Sequence, residues 1–102
     1  MNKVSVVLPT FNEKDNILPL ILDIQNQLNN QEYEIIVVDD DSPDGTWRVV
    51  QELEENDDRI HILRRCGRSG LVSAISEGID MSTGDVVVWM DADLSMPPEK
   101  IK

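Results

Sequence analysis

Four short aliphatic runs, each cut off by polar residues and separated by segments of helical period, constrain this chain more than any other feature. Val4-Ser5-Val6-Val7-Leu8 is closed by Pro9, and Ile35 to Val38 by three aspartates. Ile60 to Leu63 is closed by Arg64 and Arg65, and Val86 to Met90 by Asp91. Near-continuous apolar strands suit a parallel sheet covered on both faces. Between the first two runs, Ile17, Leu20, Ile21, Ile24 and Leu28 recur at helical spacing, with Asn12 as the expected N-cap. Trp47, Val50 and Leu53 mark a second helix, capped by Asp44 or Ser42. Val72, Ile75 and Ile79 mark a third, with Ser69 as its cap and Gly84 past its end. The alternation βαβαβαβ calls for right-handed crossovers. It predicts an α/β fold, a doubly wound and mostly parallel sheet of order 3-2-1-4 with helices on both faces.

In open α/β sheets, ligands bind outside the carboxyl ends of the strands, near a switch in strand order. The polar clusters fall at those ends: Pro9 to Glu13, Asp39 to Gly45, Arg64 to Gly70 and Asp91 to Ser95. Their convergence on one sheet edge is a stronger signal than any single motif. The net charge of −11 argues against nucleic acid, because a polyanion needs Lys and Arg against its phosphates. A phosphate ligand near so many carboxylates requires a cation between them, which points to Mg²⁺ or Mn²⁺. One cysteine, Cys66, excludes an internal disulfide framework and fits a reducing compartment. No apolar stretch is long enough to span a bilayer, and the start of the chain lacks a signal-peptide pattern.

Asp91-Ala92-Asp93 places two carboxylates two residues apart just off a strand, where both can reach one hard divalent ion. Such an ion would act as a Lewis acid on a leaving diphosphate. The plainer reading has Asp93 or Ser95 capping a short helix that begins at Pro97 and Pro98. Asp39-Asp40-Asp41 concentrates like charges and therefore needs counter-partners. Asp40, nearest the strand, is a candidate acceptor for a ribose hydroxyl or a base N–H. Asp41 and Asp44 fit a solvated turn equally well. Phe11 either stacks on a base or ribose or packs in the core, and Glu13 can meet a base or sugar edge. Arg64 is expected to pair with the Asp cluster rather than bind phosphate, and Cys66, without a histidine partner, to be inert. Neither a Walker lysine motif nor Gly-x-Gly-x-x-Gly opens the first helix, which weakens P-loop and dinucleotide readings.

Read together, several stretches resemble glycosyltransferase family 2, inverting enzymes of GT-A fold. They are Leu8-Pro9-Thr10-Phe11-Asn12-Glu13, Ile35 to Asp40 with Ser42-Pro43-Asp44-Gly45-Thr46, Gly70-Leu71 with Ala74, Thr83-Gly84-Asp85 and Met90-Asp91-Ala92-Asp93-Leu94-Ser95. The Ser-Pro-Asp-Gly-Thr and Asp-Ala-Asp-Leu-Ser pieces resemble the polyprenyl-phosphate branch, typified by dolichol-phosphate mannosyltransferase.

The resemblance implies that Pro9, Phe11, Glu13, Val38, Asp40, Asp91, Ala92 and Asp93 bind a nucleotide-sugar. It further implies that Asp91, Asp93 and Ser95 hold Mg²⁺ or Mn²⁺ in a DXD motif; no catalytic residue is assigned. The implied donor is GDP-mannose or a UDP-hexose. The implied acceptor is a membrane polyprenyl phosphate, reached through a part of the protein absent here, at the cytoplasmic face of a membrane or in the cytoplasm. Two departures stand out. Val72 replaces the second glycine of the family's Gly-Leu-Gly pattern, and a β-branched residue restricts backbone that glycine leaves free. The 102 residues also match only the donor-binding half of the family's domain. Residues 1–102 are therefore expected to be a truncated donor half, inactive alone, whose exposed strand edge could support a homo-oligomer. Two rival readings are a phospho-receiver signalling domain, also doubly wound and Mg²⁺-binding, and a nucleotide-binding module without catalysis.

Overall fold

The computed structural model describes residues 3–67 and 70–90. Along the chain run β1 (Lys3–Thr10), α1 (Lys14–Gln27), β2 (Glu32–Asp39), α2 (Thr46–Asn56), β3 (Ile60–Arg64), α3 (Leu71–Met81) and β4 (Val86–Trp89). All pairings are parallel and the order is β3-β2-β1-β4, as the alternation predicts. The register sets Thr10 beside Asp39 and Asp39 beside Arg64, with Val7 beside Trp89. The polar segments that follow β1, β2 and β3 therefore leave the sheet at one end.

Side chains alternate across each strand and build two cores. Val6, Leu8, Ile35 and Val37 pack with Ile17, Leu20, Ile21 and Ile24 of α1 and Val50 of α2. On the other face, Val7, Ile36 and Val38 meet Ala74 of α3. The apolar stripe expected on α3 is corrected here. Its buried residues are Ala74 and Gly78, while Val72 is 81% exposed and Ile79 also faces outward. The reason is distance: a Cβ added to Gly78 would sit 2.3 Å from Val7 Cγ1. Only small residues allow α3 to lie so near the sheet.

Three further expectations shift. Pro9 does not end β1, which continues to Thr10 with Pro9 opposite Val38. Among the described residues, β4 pairs with β1 as far as Val7, and Pro9 has its strand neighbour in β2. Gly84 does lie past the end of α3, whose C-cap is Ser82, but it serves the packing against β1 rather than the helix end. Its N–H donates to Ser5 Oγ at 2.8 Å, and a Cβ there would come 2.4 Å from that oxygen. Asn12 does not cap α1 and is discussed below.

The two outer strands differ. On β3, the Ile62 N–H donates to Glu54 Oε2 of α2 at 3.1 Å. On β4, Val86, Val87 and Trp89 are exposed. Among the described residues, no helix is long and apolar enough to cross a membrane.

Candidate functional site

The segments after β1 and β2 are tied together by side chains. Asn12 has φ +56, the left-handed region that few non-glycine residues adopt. That turn presents three consecutive amides to the segment after β2. Asn12 N–H donates to Ser42 Oγ (2.8 Å), Glu13 N–H to Thr46 Oγ1 (3.0 Å) and Lys14 N–H to Asp44 Oδ2 (3.1 Å). The open amides at the start of α1 are thus met by a neighbouring loop rather than by a local cap. Two of the acceptors pass the interaction on. Ser42 Oγ–H donates to Asp39 Oδ1 at 2.7 Å, and Thr46 Oγ1–H donates to Asp44 Oδ1 at 2.5 Å. Asp44 Oδ1 also accepts the Thr46 N–H, so the expected link between Asp44 and the start of α2 exists, although Gly45 is the N-cap residue. Burial disfavours the Asp44 carboxylate, yet the Thr46 hydroxyl and the Lys14 and Thr46 amides outweigh it and hold its pKa below the usual value.

The three adjacent aspartates each find a different partner. Asp39 is fully buried and accepts from Thr10 Oγ1 (2.6 Å), Ser42 Oγ and Ser42 N–H (2.9 Å). Asp40 pairs with Arg65 at 2.7 Å. Asp41 pairs with Arg64 at 2.6 Å, the pairing expected for that arginine. The Arg64 guanidinium also lies 3.9 Å from the Trp47 ring centroid, a cation–π contact. Among the described residues, no group of three histidine, cysteine or acidic side chains is placed to hold a metal.

The predicted site residues fare unequally. Phe11 is 56% exposed, which removes the core alternative and leaves its ring free at the sheet end. Glu13 is half-buried, and its Oε1 accepts from Asn16 Nδ2 at 3.1 Å. Pro9 is buried in β1. The Val38 side chain is fully buried against Ala74, so only its main chain can meet a ligand. Asp40 is 13% exposed and sits beside the Thr10 carbonyl, to which its N–H donates at 3.2 Å. Asp91, Ala92, Asp93 and Ser95 lie outside the described residues, as does Ser69. A depression of about 410 Å³ between the Asp41–Gly45 turn, Trp47, Arg48 and Arg64 is lined by none of the described residues predicted to bind the donor.

Residues 5–102 match the family described as Glycosyl transferase family 2. The chain belongs to glycosyltransferase family 2. Among family 2 relatives, it is 50% identical over 99 residues to a dolichol-phosphate mannosyltransferase of Pyrococcus furiosus, covering 97% of this chain and 28% of that protein. It is 43% identical over 108 residues to an undecaprenyl-phosphate 4-deoxy-4-formamido-L-arabinose transferase of Proteus mirabilis, covering 99% and 32%. Among solved structures, the fold matches the mannosyltransferase PcManGT of Pyrobaculum calidifontis, determined with GDP-Man and Mn²⁺. The TM-score is 0.74 at 27% identity, covering 94% of this chain and 33% of that one. The chain thus spans about a third of the length of the relatives it matches.

Within the family 2 motif, the sequence pointed to Ser42 as a cap of α2 and to Asp44 as a cap, a solvated turn residue or a nucleoside contact, and gave Thr46 no separate role. Their spacing across Ser-Pro-Asp-Gly-Thr, hydroxyl–acid–hydroxyl at alternate positions, is the signal for a loop-stitching element. Arg65 was also overlooked, because nothing local distinguishes it from Arg64.

Proposed function

We propose that residues 1–102 form the nucleotide-sugar-binding half of a family 2 catalytic domain. In the full-length protein, that domain transfers a hexose, mannose favoured, from a nucleoside diphosphate to a polyprenyl phosphate with inversion. The observation that carries this reading is the strand order. Order 3-2-1-4 puts the switch in winding between β1 and β4, where open α/β sheets bind ligands. The strand leading to Asp91-Ala92-Asp93 therefore runs beside the strand leading to Pro9, Phe11 and Glu13. The identity to a dolichol-phosphate mannosyltransferase supports the acceptor class and the choice of mannose. A fold shared with a mannosyltransferase solved with GDP-Man and Mn²⁺ supports a metal-dependent donor site.

In this reading, the exposed Phe11 ring stacks on the base or ribose, and Asp40 accepts a hydrogen bond from the nucleoside. Asp91, Asp93 and Ser95 would hold Mg²⁺ or Mn²⁺, which supplies Lewis-acid neutralisation of the leaving diphosphate when bound. The amide-to-hydroxyl-to-carboxylate chains hold the Phe11–Glu13 segment in place before the donor arrives, which reduces the ordering cost of binding. The acceptor phosphate is already anionic, so its oxygen can attack the anomeric carbon without a strong general base.

The test is calorimetric titration of the full-length protein with GDP-mannose, UDP-glucose and UDP-GlcNAc, with Mn²⁺ and with a chelator. Metal-dependent binding strongest for GDP-mannose is expected. Failure of all three donors to bind in the presence of metal would overturn the proposal.

A further inference from the structure

Arg65 is a buried cation with a full set of acceptors. Its side chain is 2% exposed. Nε–H donates to Asp40 Oδ1 at 2.7 Å, Nη1 to Ser73 Oγ at 2.9 Å and to Glu77 Oε2, and Nη2 to the Gly70 carbonyl at 3.1 Å. Its main-chain N–H donates to the Asp39 carbonyl at 2.8 Å. The second Asp40 oxygen accepts the Gly70 N–H at 3.2 Å. Arg65 and Asp40 therefore grip Gly70 together, at the residue that opens α3. A planar guanidinium engaged on all three nitrogens is held in one orientation, unlike an ammonium on a flexible stem.

This arrangement constrains what Asp40 can do. A carboxylate offers about four acceptor positions, and donors among the described residues occupy two of them. The side chain keeps 13% of its surface, so the remaining positions are not all enclosed. The arginine charge at 2.7 Å offsets the attraction of the Asp40 carboxylate for a cation. Arg65, almost wholly buried, offers little surface to a ligand and acts through its neighbour.

We propose that Arg65 is a positioning residue for the donor nucleoside: it locks Asp40 in one orientation as an acceptor for a base N–H or ribose O–H, and withholds Asp40 from the metal. This rests on the donor-site reading above. It divides labour among the aspartates, with nucleoside recognition after β2 and metal binding after β4.

The test uses the full-length protein and the variants Arg65→Gln, Arg65→Lys, Asp40→Asn and the double variant Asp40→Asn/Arg65→Lys. Donor KM and kcat are measured, with GDP and UDP affinities in Mn²⁺. Arg65→Gln should raise donor KM about tenfold, the effect of one lost hydrogen bond to a charged group, with kcat changed less than about threefold. The Mn²⁺ concentration giving half-maximal activity should stay unchanged. Arg65→Lys should recover part of the loss, since the charge returns without the fork. The double variant should be no worse than Asp40→Asn alone, because Arg65 acts through Asp40. Wild-type KM in Arg65→Gln, a shifted Mn²⁺ requirement, or losses that simply multiply in the double variant would overturn the proposal. If Arg65→Gln fails to fold by far-ultraviolet circular dichroism, Arg65→Lys and the double variant decide by the same criteria. A wild-type protein that binds no nucleoside diphosphate would instead overturn the donor-site reading, and this inference with it.

Discussion

On the α1–α2 side, the sheet is closed by large aliphatic side chains, with Leu20, Ile21, Ile24 and Ile35 fully buried. On the α3 side, the apolar contact shrinks to Val7, Ile36, Val38 and Ala74, framed at both ends by buried charge. At the carboxyl end stands the Arg65–Asp40–Glu77 cluster. At the amino end, Glu34 accepts from Ser5 Oγ and Thr83 N–H, both at 2.6 Å, with Lys3 and His61 nearby. The first side supplies bulk burial, which is strong and forgiving of partner geometry. The second supplies directional contacts that set where α3 and the strand ends sit, and the candidate site depends on that positioning.

The contrast makes three predictions, measured by urea denaturation. The largest effect is expected from Leu20→Ala on the aliphatic side, about 3 kcal/mol lost through transfer free energy and a cavity. A loss below about 1 kcal/mol would mean that this side collapses around a void. Gly78→Ala tests the opposite failure. The added Cβ meets Val7 at 2.3 Å, so α3 must move away from the sheet. A cost of about 2 kcal/mol is expected despite the better helix propensity of alanine. Donor affinity should fall as well, because the α3 start carries Gly70. The smallest effect is Glu34→Gln, about 1 kcal/mol at neutral pH. Burial disfavours the Glu34 carboxylate, but the Ser5 hydroxyl, the Thr83 amide and Lys3 outweigh it and lower its pKa from 4.5. Its contribution is therefore present above pH 4.5 and is lost as the pH falls through the depressed folded value. The stability difference between wild type and Glu34→Gln should shrink below pH 4.5. A difference that stays constant into acid would show that Glu34 acts by shape alone.

The topology was legible because it depends on periodicity and chain order. Four apolar runs and three helical segments leave few arrangements, and the parallel order followed. Side-chain partnerships were less legible, because they join residues far apart in sequence. Asn12 resembles a cap by every local criterion, yet its loop is held by Ser42, Asp44 and Thr46, about thirty residues on. Val72 and Ile79 carry the expected period on α3, but close packing gave the inner face to Ala74 and Gly78. Need for counter-partners could be inferred from three adjacent aspartates. Which arginine serves which carboxylate could not, since Arg64 and Arg65 are equivalent until β3 assigns one outward and one inward. The carboxylates with the strongest motif, Asp91 and Asp93, lie outside the described residues, so their reading still rests on sequence and resemblance.

One detail of the sheet margins bears on how such a domain grows. The Glu54 carboxylate occupies the outward amide of Ile62, so a strand approaching β3 meets a donor already engaged. Among the described residues, nothing comparable guards β4, where Val86, Val87 and Trp89 (46% exposed) present apolar surface. Among the described residues, the sheet thus has a finished selvedge and an open one. A strand added from the same polypeptide or another would meet uncovered apolar surface along β4 and an engaged donor along β3, so the β4 margin is the easier one to extend.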